Sequence, residues 1–175
     1  MPTIRPLTAS DCLIELTALL HASYASLAAQ GWNFTAVDQG VDVTRDRLAG
    51  AQGFVAELGG RLVGTIAIRG PKPPGEAYIA DSPPPLYTTP GTAILSQLAV
   101  HPDCRGQGVG GRLIDAAEAW AAAQGFAQIA LDTAEPATAL RRRYERRGYV
   151  TVGGVQWQGK TYASVLMSKV LNGAA

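Results

Sequence analysis

The chain has 175 residues, of which 47% are hydrophobic and 17% are charged. A chain of this length is typical of one domain and can bury an apolar core without disulfides or metals. Its hydrophobic share excludes a disordered protein, which combines low hydrophobicity with high net charge. Lysine plus arginine number 15 and aspartate plus glutamate number 14, so the net charge of +1 gives no sign of a dedicated nucleic-acid-binding protein. We therefore expect a single domain over residues 1–175.

The two cysteines and the apolar runs exclude further classes of protein. Cys12 and Cys104 have neither a metal-binding spacing nor the pattern of a disulfide framework. No apolar run approaches the roughly 18–20 residues that span a bilayer. Asp11 and Glu15 interrupt the N-terminal segment before any signal-peptide core could form. These features predict a cytoplasmic protein with no membrane segment and no metal site.

The first seventy residues predict a strand, two helices and a hairpin. Ser10 and Asp11 offer side-chain oxygens for a helix N-cap, and apolar residues then recur at helical spacing until Gly31. Two strand-like runs flank Gly59-Gly60, a pair typical of a hairpin turn. The predicted elements are a strand over 3–7, a helix after Asp11, a short helix over 44–49, and strands over 54–58 and 61–68.

Residues 70–91 contain seven of the prolines of the chain. Proline removes a backbone donor and fixes φ, so this density argues against a central strand or a helix, and the segment is longer than an ordinary connection. The sequence therefore predicts a long, partly stiff loop. Tyr78 and Tyr87 within it could supply contact area for a ligand.

The second half of the chain predicts strands and helices in alternation, followed by two closing strands. A buried strand over 93–100 precedes a glycine-rich turn, and a helix then presents one apolar face until Gly125. Pro136 and Gly148 are typical of a helix start and a helix end. The predicted helix face is Val109, Leu113, Ala116, Trp120 and Ala123. The later elements are a strand over 127–131, a helix over 137–147, and strands over 149–152 and 161–170 joined through Gly153-Gly154 and Gly159. This order predicts a mixed α/β domain.

The glycine turn over residues 105–111 carries the clearest functional signal. A helix N-terminus leaves four backbone N–H groups unpaired and has a partial positive charge, and glycine lets a phosphate approach them. The segment therefore predicts a cradle for a pyrophosphate. A Rossmann fingerprint has the same spacing, but here it lies past residue 100 in a chain without that fold's architecture. A Walker A loop would need Gly-Lys-Ser/Thr, which this segment lacks. The simplest alternative is a glycine turn that only caps the helix.

Two motifs resemble one known family. Arg105-x-x-Gly108-x-Gly110, after the segment 98–102, resembles the acetyl-CoA signature of the GNAT N-acetyltransferase superfamily. The later block 144–149, Tyr-Glu-Arg-Arg-Gly-Tyr, resembles that family's Tyr-Glu-x-x-Gly-aromatic block. The element order agrees over nearly the whole chain. The resemblance implies a central, mostly antiparallel sheet with a splayed strand and flanking helices. It also implies transfer of an acetyl group from acetyl-CoA to a primary amine of a small molecule or peptide.

The resemblance also implies roles for individual residues. The strand before the turn would bond the pantetheine arm, and the Leu98 N–H would polarise the thioester carbonyl. The amine would attack the thioester directly, and Tyr144 would be the general acid to the departing thiolate. Where many relatives have an asparagine that contacts pantetheine, this chain has Ala137-Thr138, so the resemblance implies a weaker or different contact there. The implied acetyl-CoA-binding residues are Leu98, Ala99, Val100, Arg105, Gly106, Gln107, Gly108, Val109, Gly110, Gly111, Thr138 and Tyr144, with Tyr144 and Leu98 catalytic.

The general base stays open at this point. The glutamate that some members carry on the splayed strand is absent, because Ile94 and Leu95 occupy that region. Asp132 and Glu135 are candidates because they follow a predicted strand. The weaker candidates are Glu57 and His101, and a water relay without a dedicated base is a further alternative.

Other features have simpler interpretations beside the functional ones. Tyr144 could be a core tyrosine whose hydroxyl meets a backbone partner, and Cys104 is interpreted as an ordinary turn residue. The arginine run over 141–147 is typical of a solvated helix end, although it could contact a phosphate of CoA. Two alternative functions remain: a non-catalytic module that binds or senses acyl-CoA, and a Rossmann nucleotide-binding protein. A homodimer is possible.

Overall fold

The computed structural model describes residues 1–71 and 81–172. The predicted order of elements is confirmed, with one short helix added. In chain order the elements are β1 (Thr3–Pro6), α1 (Leu13–Ala28), α2 (Val41–Leu48), β2 (Gln52–Leu58), β3 (Arg61–Arg69), α3 (Pro85–Thr88), β4 (Thr92–Val100), α4 (Val109–Ala123), β5 (Gln128–Ala134), α5 (Thr138–Glu145), β6 (Val150–Val155) and β7 (Ser164–Val170). Two single-turn 3-10 helices cover Thr35–Val37 and Pro102–Cys104.

The predicted fold class is confirmed. The seven strands of the described residues form a mostly antiparallel sheet with flanking helices. Strands β4 and β5 pair in parallel. The pairs β1–β2, β2–β3, β5–β7 and β6–β7 are antiparallel. The Cα positions divide the chain into two compact units. The first unit contains residues 1–69 and 95–120, and the second contains residues 70–94 and 121–175. The prediction of a single domain stays a prediction.

The first unit is built on the meander β1-β2-β3, which continues into the second half of β4. The predicted hairpin is confirmed, and Gly59 and Gly60 both have the positive φ that a tight two-residue turn requires. The N–H of His101, just past β4, donates to the Val63 carbonyl at 2.8 Å. The glycine turn therefore starts from a point that is hydrogen-bonded to β3.

Helix α1 covers one face of this part of the sheet. Leu16 and Leu19 pack against Val55 and Leu62, and Leu20 packs with Ala36 and Ala99 of β4. The predicted N-cap is wrong: Cys12 occupies the cap position and makes no side-chain cap. Asp11 instead accepts from the Thr8 N–H at 2.7 Å and binds Arg5, because a guanidinium is a stronger partner than a helix N–H.

Arg5 holds Asp11 and Glu57 together at the start of the sheet. Its Nη2 lies 2.7 Å from an oxygen of each carboxylate. The hydrogen bond from Arg5 holds the pKa of Asp11 well below its usual range. A carboxylate with a lowered folded pKa stabilises the protein above its unfolded pKa, and that stabilisation is lost as the pH falls towards the folded value.

We expect Asp11→Asn to flatten the acid side of the stability profile. Between about pH 5 and pH 3, the wild-type protein should lose about 1 kcal/mol more of its unfolding free energy than the variant, a modest figure because Arg5 is partly exposed. Urea unfolding at several pH values measures this. Asp42→Asn is the matched control, since Asp42 is paired with Arg45 but its side chain is 91% exposed. Equal acid slopes for both variants would show that the Arg5 pair contributes nothing.

The second unit contains the first residues of β4 and the strands β5, β7 and β6. Residues Thr92–Ile94 of β4 pair with β5 in parallel, and β5 is antiparallel to β7 along its whole length. Strand β6 forms the other neighbour of β7. The core of this unit is a cluster of Tyr87, Ile94, Ala130, Trp157 and Leu166.

Several predicted boundaries in the second unit are wrong. Strand β5 runs to Ala134, three residues further than expected, so Asp132 lies inside the strand. Gly153-Gly154 lies within β6, next to a register shift, and does not form the predicted connection. Helix α5 begins at Thr138 after an Ala137 cap, so Pro136 is not its first residue. Helix α3 lies within the predicted loop, because Pro85 at its first position needs no N–H partner.

The remainder of that loop prediction falls partly outside the described residues. Residues 72–80, with Tyr78, lie outside them. Among residues 1–71 and 81–172, no helix is long and apolar enough to cross a membrane.

Candidate active site

The glycine turn lies in the first unit, as a connection from β4 to α4. Gly106 and Gly108 have φ of 75° and 76°, in the left-handed region that a Cβ disfavours. A Cβ built on either residue would meet nothing within 4 Å. The backbone conformation therefore requires glycine here, and the space beside it is open.

Helix α4 presents its first N–H groups at this turn. The N–H of Arg112 already donates to the Gly108 carbonyl at 3.1 Å, so the N–H groups of residues 108–111 are those without an intrahelical acceptor. The first turn of α4 has no acidic side chain. Unpaired N–H groups and the positive end of the helix dipole suit an anion such as a pyrophosphate. These residues therefore fit the cradle that the sequence predicts.

Close packing on β3 fixes the position of the α4 N-terminus. A Cβ on Gly64 would come within 2.9 Å of Leu113 Cδ1 and 3.2 Å of Val109 Cγ1. Glycine in the middle of β3 thus allows the first two turns of α4 to lie directly on the strand. The buried face predicted for α4 is correct in its first half and wrong in its second half. Val109 and Leu113 are buried, but Ala117 and Ala121 continue the buried face where Ala116, Trp120 and Ala123 were expected, because 3.6-residue periodicity allows either row.

The side chains of the turn have other partners. Arg105 donates from Nη2 to the Ser23 carbonyl at 2.6 Å, which ties the turn to α1. Gln107 donates to the Asp103 carbonyl at 3.3 Å. Cys104 is the last residue of the 3-10 helix and is buried, with 7% of its surface exposed. Anion binding at this turn would thus depend on backbone N–H groups.

Residues 98–100 of β4 are hydrogen-bonded to α1. The Tyr24 hydroxyl donates to the Leu98 carbonyl at 3.0 Å, and the Val100 N–H donates to Ser23 Oγ at 3.2 Å. The Ala99 side chain is buried against Leu20. In the sequence, Tyr24 is only one more residue of the helical pattern that follows Asp11. Its hydroxyl contact is 74 residues away along the chain, so no local signal could have found it.

Tyr144 lies on α5, in the second unit. It is buried, with 7% of its surface exposed. Its ring meets that of Tyr149 edge-on, with centroids 5.7 Å apart. Lys169 Nζ lies 5.7 Å from the centre of the Tyr149 ring. Thr138, the other predicted acetyl-CoA contact on this helix, is the exposed first residue of α5.

The candidate bases have different surroundings. Glu57 is paired with Arg5. His101 accepts the Asp103 N–H through Nδ1 at 3.3 Å. Glu135 is exposed, just past the end of β5. Asp132 differs from these, because it is a carboxylate inside a strand of the core.

Two aromatic side chains hold Asp132. The Tyr87 hydroxyl donates to Oδ1 at 2.5 Å, and the Trp157 indole N–H donates to Oδ2 at 2.9 Å. Tyr87 is fully buried and Trp157 is 4% exposed. These contacts join α3, β5 and the turn after β6. Tyr87, predicted as contact area for a ligand, is instead a buried partner of this carboxylate. No local signal in the sequence indicates the contact of Tyr87 and Trp157 with Asp132.

We expect Asp132→Ala to lower the free energy of unfolding by about 2–4 kcal/mol, because it removes the acceptor from two buried donors. Asp132→Asn is the matched control. Its oxygen can accept the indole N–H, while its N–H₂ can donate to the Tyr87 oxygen, so most of the stability should be kept. Urea unfolding of both variants measures this difference. A loss of stability that is equal in the two variants would contradict the proposed hydrogen-bonding role.

The arginines of the run 141–147 have different surroundings. Arg141 donates from Nη1 to the Glu135 carbonyl at 3.2 Å, whereas Arg142, Arg143 and Arg146 are exposed. Within the described parts of the chain, no group of three or more histidine, cysteine, aspartate or glutamate side chains could hold a metal ion.

Comparison with known proteins gives one family and many similar structures. The model of the acetyltransferase (GNAT) family matches residues 17–149, which is more than half of the chain. No protein with a curated description matches the sequence. The family match, together with the fold, defines the class: an acetyl-CoA-dependent N-acetyltransferase. The chain belongs to the GNAT family of acetyltransferases.

Three solved structures illustrate the shared fold. The ribosomal-protein-S18-alanine N-acetyltransferase of Escherichia coli has a TM-score of 0.74 at 16% identity, covering 100% of this chain and 97% of that chain. The ribosomal-protein-alanine N-acetyltransferase of Brucella melitensis has a TM-score of 0.69 at 24% identity, covering 97% and 99%. A GNAT acetyltransferase of Elizabethkingia anophelis, solved with acetyl-CoA bound, has a TM-score of 0.65 at 15% identity, covering 97% and 98%. At these identities the likeness shows the fold alone.

Proposed function

We propose that this protein transfers the acetyl group of acetyl-CoA to a primary amine of a small molecule or a peptide, by direct attack of the amine on the thioester. The observation that carries the proposal is the turn 105–111. Its left-handed glycines and the N-terminus of α4 direct backbone donors to an open space. Two structural neighbours are described as alanine N-acetyltransferases of ribosomal proteins, so a peptide with N-terminal alanine is the first acceptor to test.

The catalytic roles follow the family resemblance. The Leu98 N–H would polarise the thioester carbonyl, and Tyr144 would protonate the sulfur as it departs. The proton of the attacking ammonium must be lost before attack. Among the four candidate bases, Asp132 is held by two neutral donors, Tyr87 and Trp157, whereas Glu57 is held in an ion pair with Arg5. We therefore place Asp132 first among them. A water relay stays the alternative to any of these residues.

The test is release of CoA, measured with a thiol reagent, across a panel of amines. The panel contains a peptide with N-terminal alanine, free amino acids, a polyamine and an aminoglycoside. We expect turnover with at least one of them. Tight binding of acetyl-CoA without turnover would favour the non-catalytic acyl-CoA-binding module. A thermal shift with NAD and none with acetyl-CoA would favour the Rossmann alternative. The cytoplasmic location, the possible homodimer and the absence of nucleic-acid or membrane partners stay predictions.

A further inference from the structure

Gln97 of β4 combines an unusual backbone with a buried side chain. Its φ of 57° is the one positive value at a non-glycine residue within 1–71 and 81–172. That conformation is sterically disfavoured for a residue with a Cβ, and such residues cluster at functional sites. The residue is buried, with 6% of its surface exposed. Its carboxamide must therefore find hydrogen-bond partners away from bulk water.

A chain of hydrogen bonds fixes the direction of this carboxamide. Arg47 donates from Nη1 to Gln39 Oε1 at 2.7 Å. Because arginine has donors only, this contact identifies the oxygen of Gln39. The Gln39 Nε2 then donates to Thr44 Oγ1 at 2.8 Å and to Gln97 Oε1 at 3.2 Å. A reversed Gln97 amide would set two N–H₂ groups against each other, so its Nε2 points away from Gln39.

The Nε2 of Gln97 is the end without a partner. It is buried, and no acceptor for it lies among the residues that the structure describes. A buried donor without an acceptor is uncommon in folded proteins because its desolvation is not compensated. The following residue, Leu98, carries the N–H that the resemblance assigns to the thioester carbonyl. Gln97 therefore directly precedes, in the sequence, the residue predicted to bind the thioester carbonyl.

We propose that Gln97 donates a hydrogen bond from Nε2 to a carbonyl oxygen of a bound substrate. The inference rests on the proposed function, which supplies two sources of such an oxygen. One is the acetyl-pantetheine arm of acetyl-CoA, and the other is a carbonyl beside the reactive amine, as in an amino-acid amide or a peptide. A site with a buried donor rejects a ligand that lacks the matching acceptor. Gln97 is thus a specificity-determining residue, and Gln39 and Arg47 are positioning residues.

The test begins with NMR of the wild-type protein. The side-chain N–H₂ signals of Gln97 are assigned by their loss in Gln97→Glu, and are then followed during titration with acetyl-CoA and, separately, with alaninamide in the presence of CoA. We expect these signals to move as one of the two ligands saturates the protein. Movement with acetyl-CoA identifies the cofactor as the source of the carbonyl. Movement with alaninamide identifies the acceptor amine.

Binding and kinetics of Gln97→Glu provide the second readout. This variant keeps the oxygen that Gln39 binds and replaces the Nε2 donor by an acceptor. If acetyl-CoA supplies the carbonyl oxygen, the Kd of the Gln97→Glu variant for acetyl-CoA should rise about tenfold or more. If the amine is the source, that Kd should hold while KM for alaninamide rises about tenfold and KM for isopropylamine, which lacks the carbonyl, does not change. Gln97→Met, which is uncharged and of similar size, repeats the measurement if the glutamate variant does not fold.

One set of results would overturn the inference alone. In a protein that binds acetyl-CoA, the Gln97 signals would stay still with both ligands, and the variants would keep wild-type Kd and KM values. The donor would then be bonded to a buried water. A wild-type protein without affinity for acetyl-CoA would overturn the proposed function and this inference together. Arg47→Met should reproduce the Gln97 effect in weaker form, and Arg47→Lys should restore part of it.

Discussion

Tyr144→Phe should lower kcat by at least about tenfold, within the range that general acids contribute. The hydroxyl would donate a proton as negative charge develops on sulfur. Such an interaction is stronger in the transition state than in the ground state, so its loss appears in kcat. The phenylalanine keeps the ring that packs edge-on against Tyr149. We therefore expect a nearly unchanged melting temperature and a KM for acetyl-CoA within about threefold of wild type.

Tyr149→Phe is the matched control for this experiment. Tyr149 is a buried tyrosine, 1% exposed, next to Tyr144, and the resemblance gives it no catalytic role. Its variant should keep the wild-type kcat. The high-pH limb of the rate profile should flatten in Tyr144→Phe alone. If Tyr144→Phe melted early yet turned over normally, Tyr144 would be a packing residue, and water would protonate the thiolate.

Gly108→Leu should weaken acetyl-CoA binding by at least about tenfold, or about 1.4 kcal/mol. Gly108 has φ of 76° and opens onto space with no atom within 4 Å of a built Cβ. A leucine would fill the space that a pyrophosphate must enter to reach the N–H groups of α4. It would also disfavour the left-handed backbone that orients those groups. Calorimetry with acetyl-CoA measures the change in Kd.

Gly125→Leu separates the two contributions. Gly125 has φ of 82° and the same open surroundings, but it follows the other end of α4. Both variants should lose a similar amount of unfolding free energy, about 1 kcal/mol, for the same backbone strain. Only Gly108→Leu should lose affinity for acetyl-CoA. A folded Gly108→Leu with wild-type affinity would show that the turn is not the phosphate site.

The accuracy of the boundary predictions depended on how local each signal was. The hairpin at Gly59-Gly60 and the start of α4 after Gly108 were predicted correctly, because a glycine with positive φ acts within a few residues. The end of β5 was not. Asp132 is a charged residue directly after an apolar run, and this pattern predicts that the strand ends before it. Its pairing with β7 opposite Leu166, and the donors of Tyr87 and Trp157, allow a carboxylate inside the strand.

The residues of the candidate site were likewise predicted only where the sequence signal is local. The glycine turn and the Tyr144 block were found from adjacent residues. The hydrogen bonds that orient the Gln97 side chain were not predicted. Gln39 and Gln97 are 58 residues apart, and neither is unusual in its local sequence. The same reason applies to the hydrogen bond from the Tyr24 hydroxyl to the Leu98 carbonyl. A hydrogen bond between distant residues leaves no periodic pattern in the sequence.

The sequence by itself therefore determined the order of elements, the mixed α/β class and the place of the glycine turn before α4. Each depends on periodicity or on the φ preference of glycine, which act over one element at a time. Tertiary structure decided how the polar groups of the core are satisfied. Burial removes water as a partner, so Asp132, Gln39 and Gln97 must take partners from whichever distant segments the fold brings within hydrogen-bond distance.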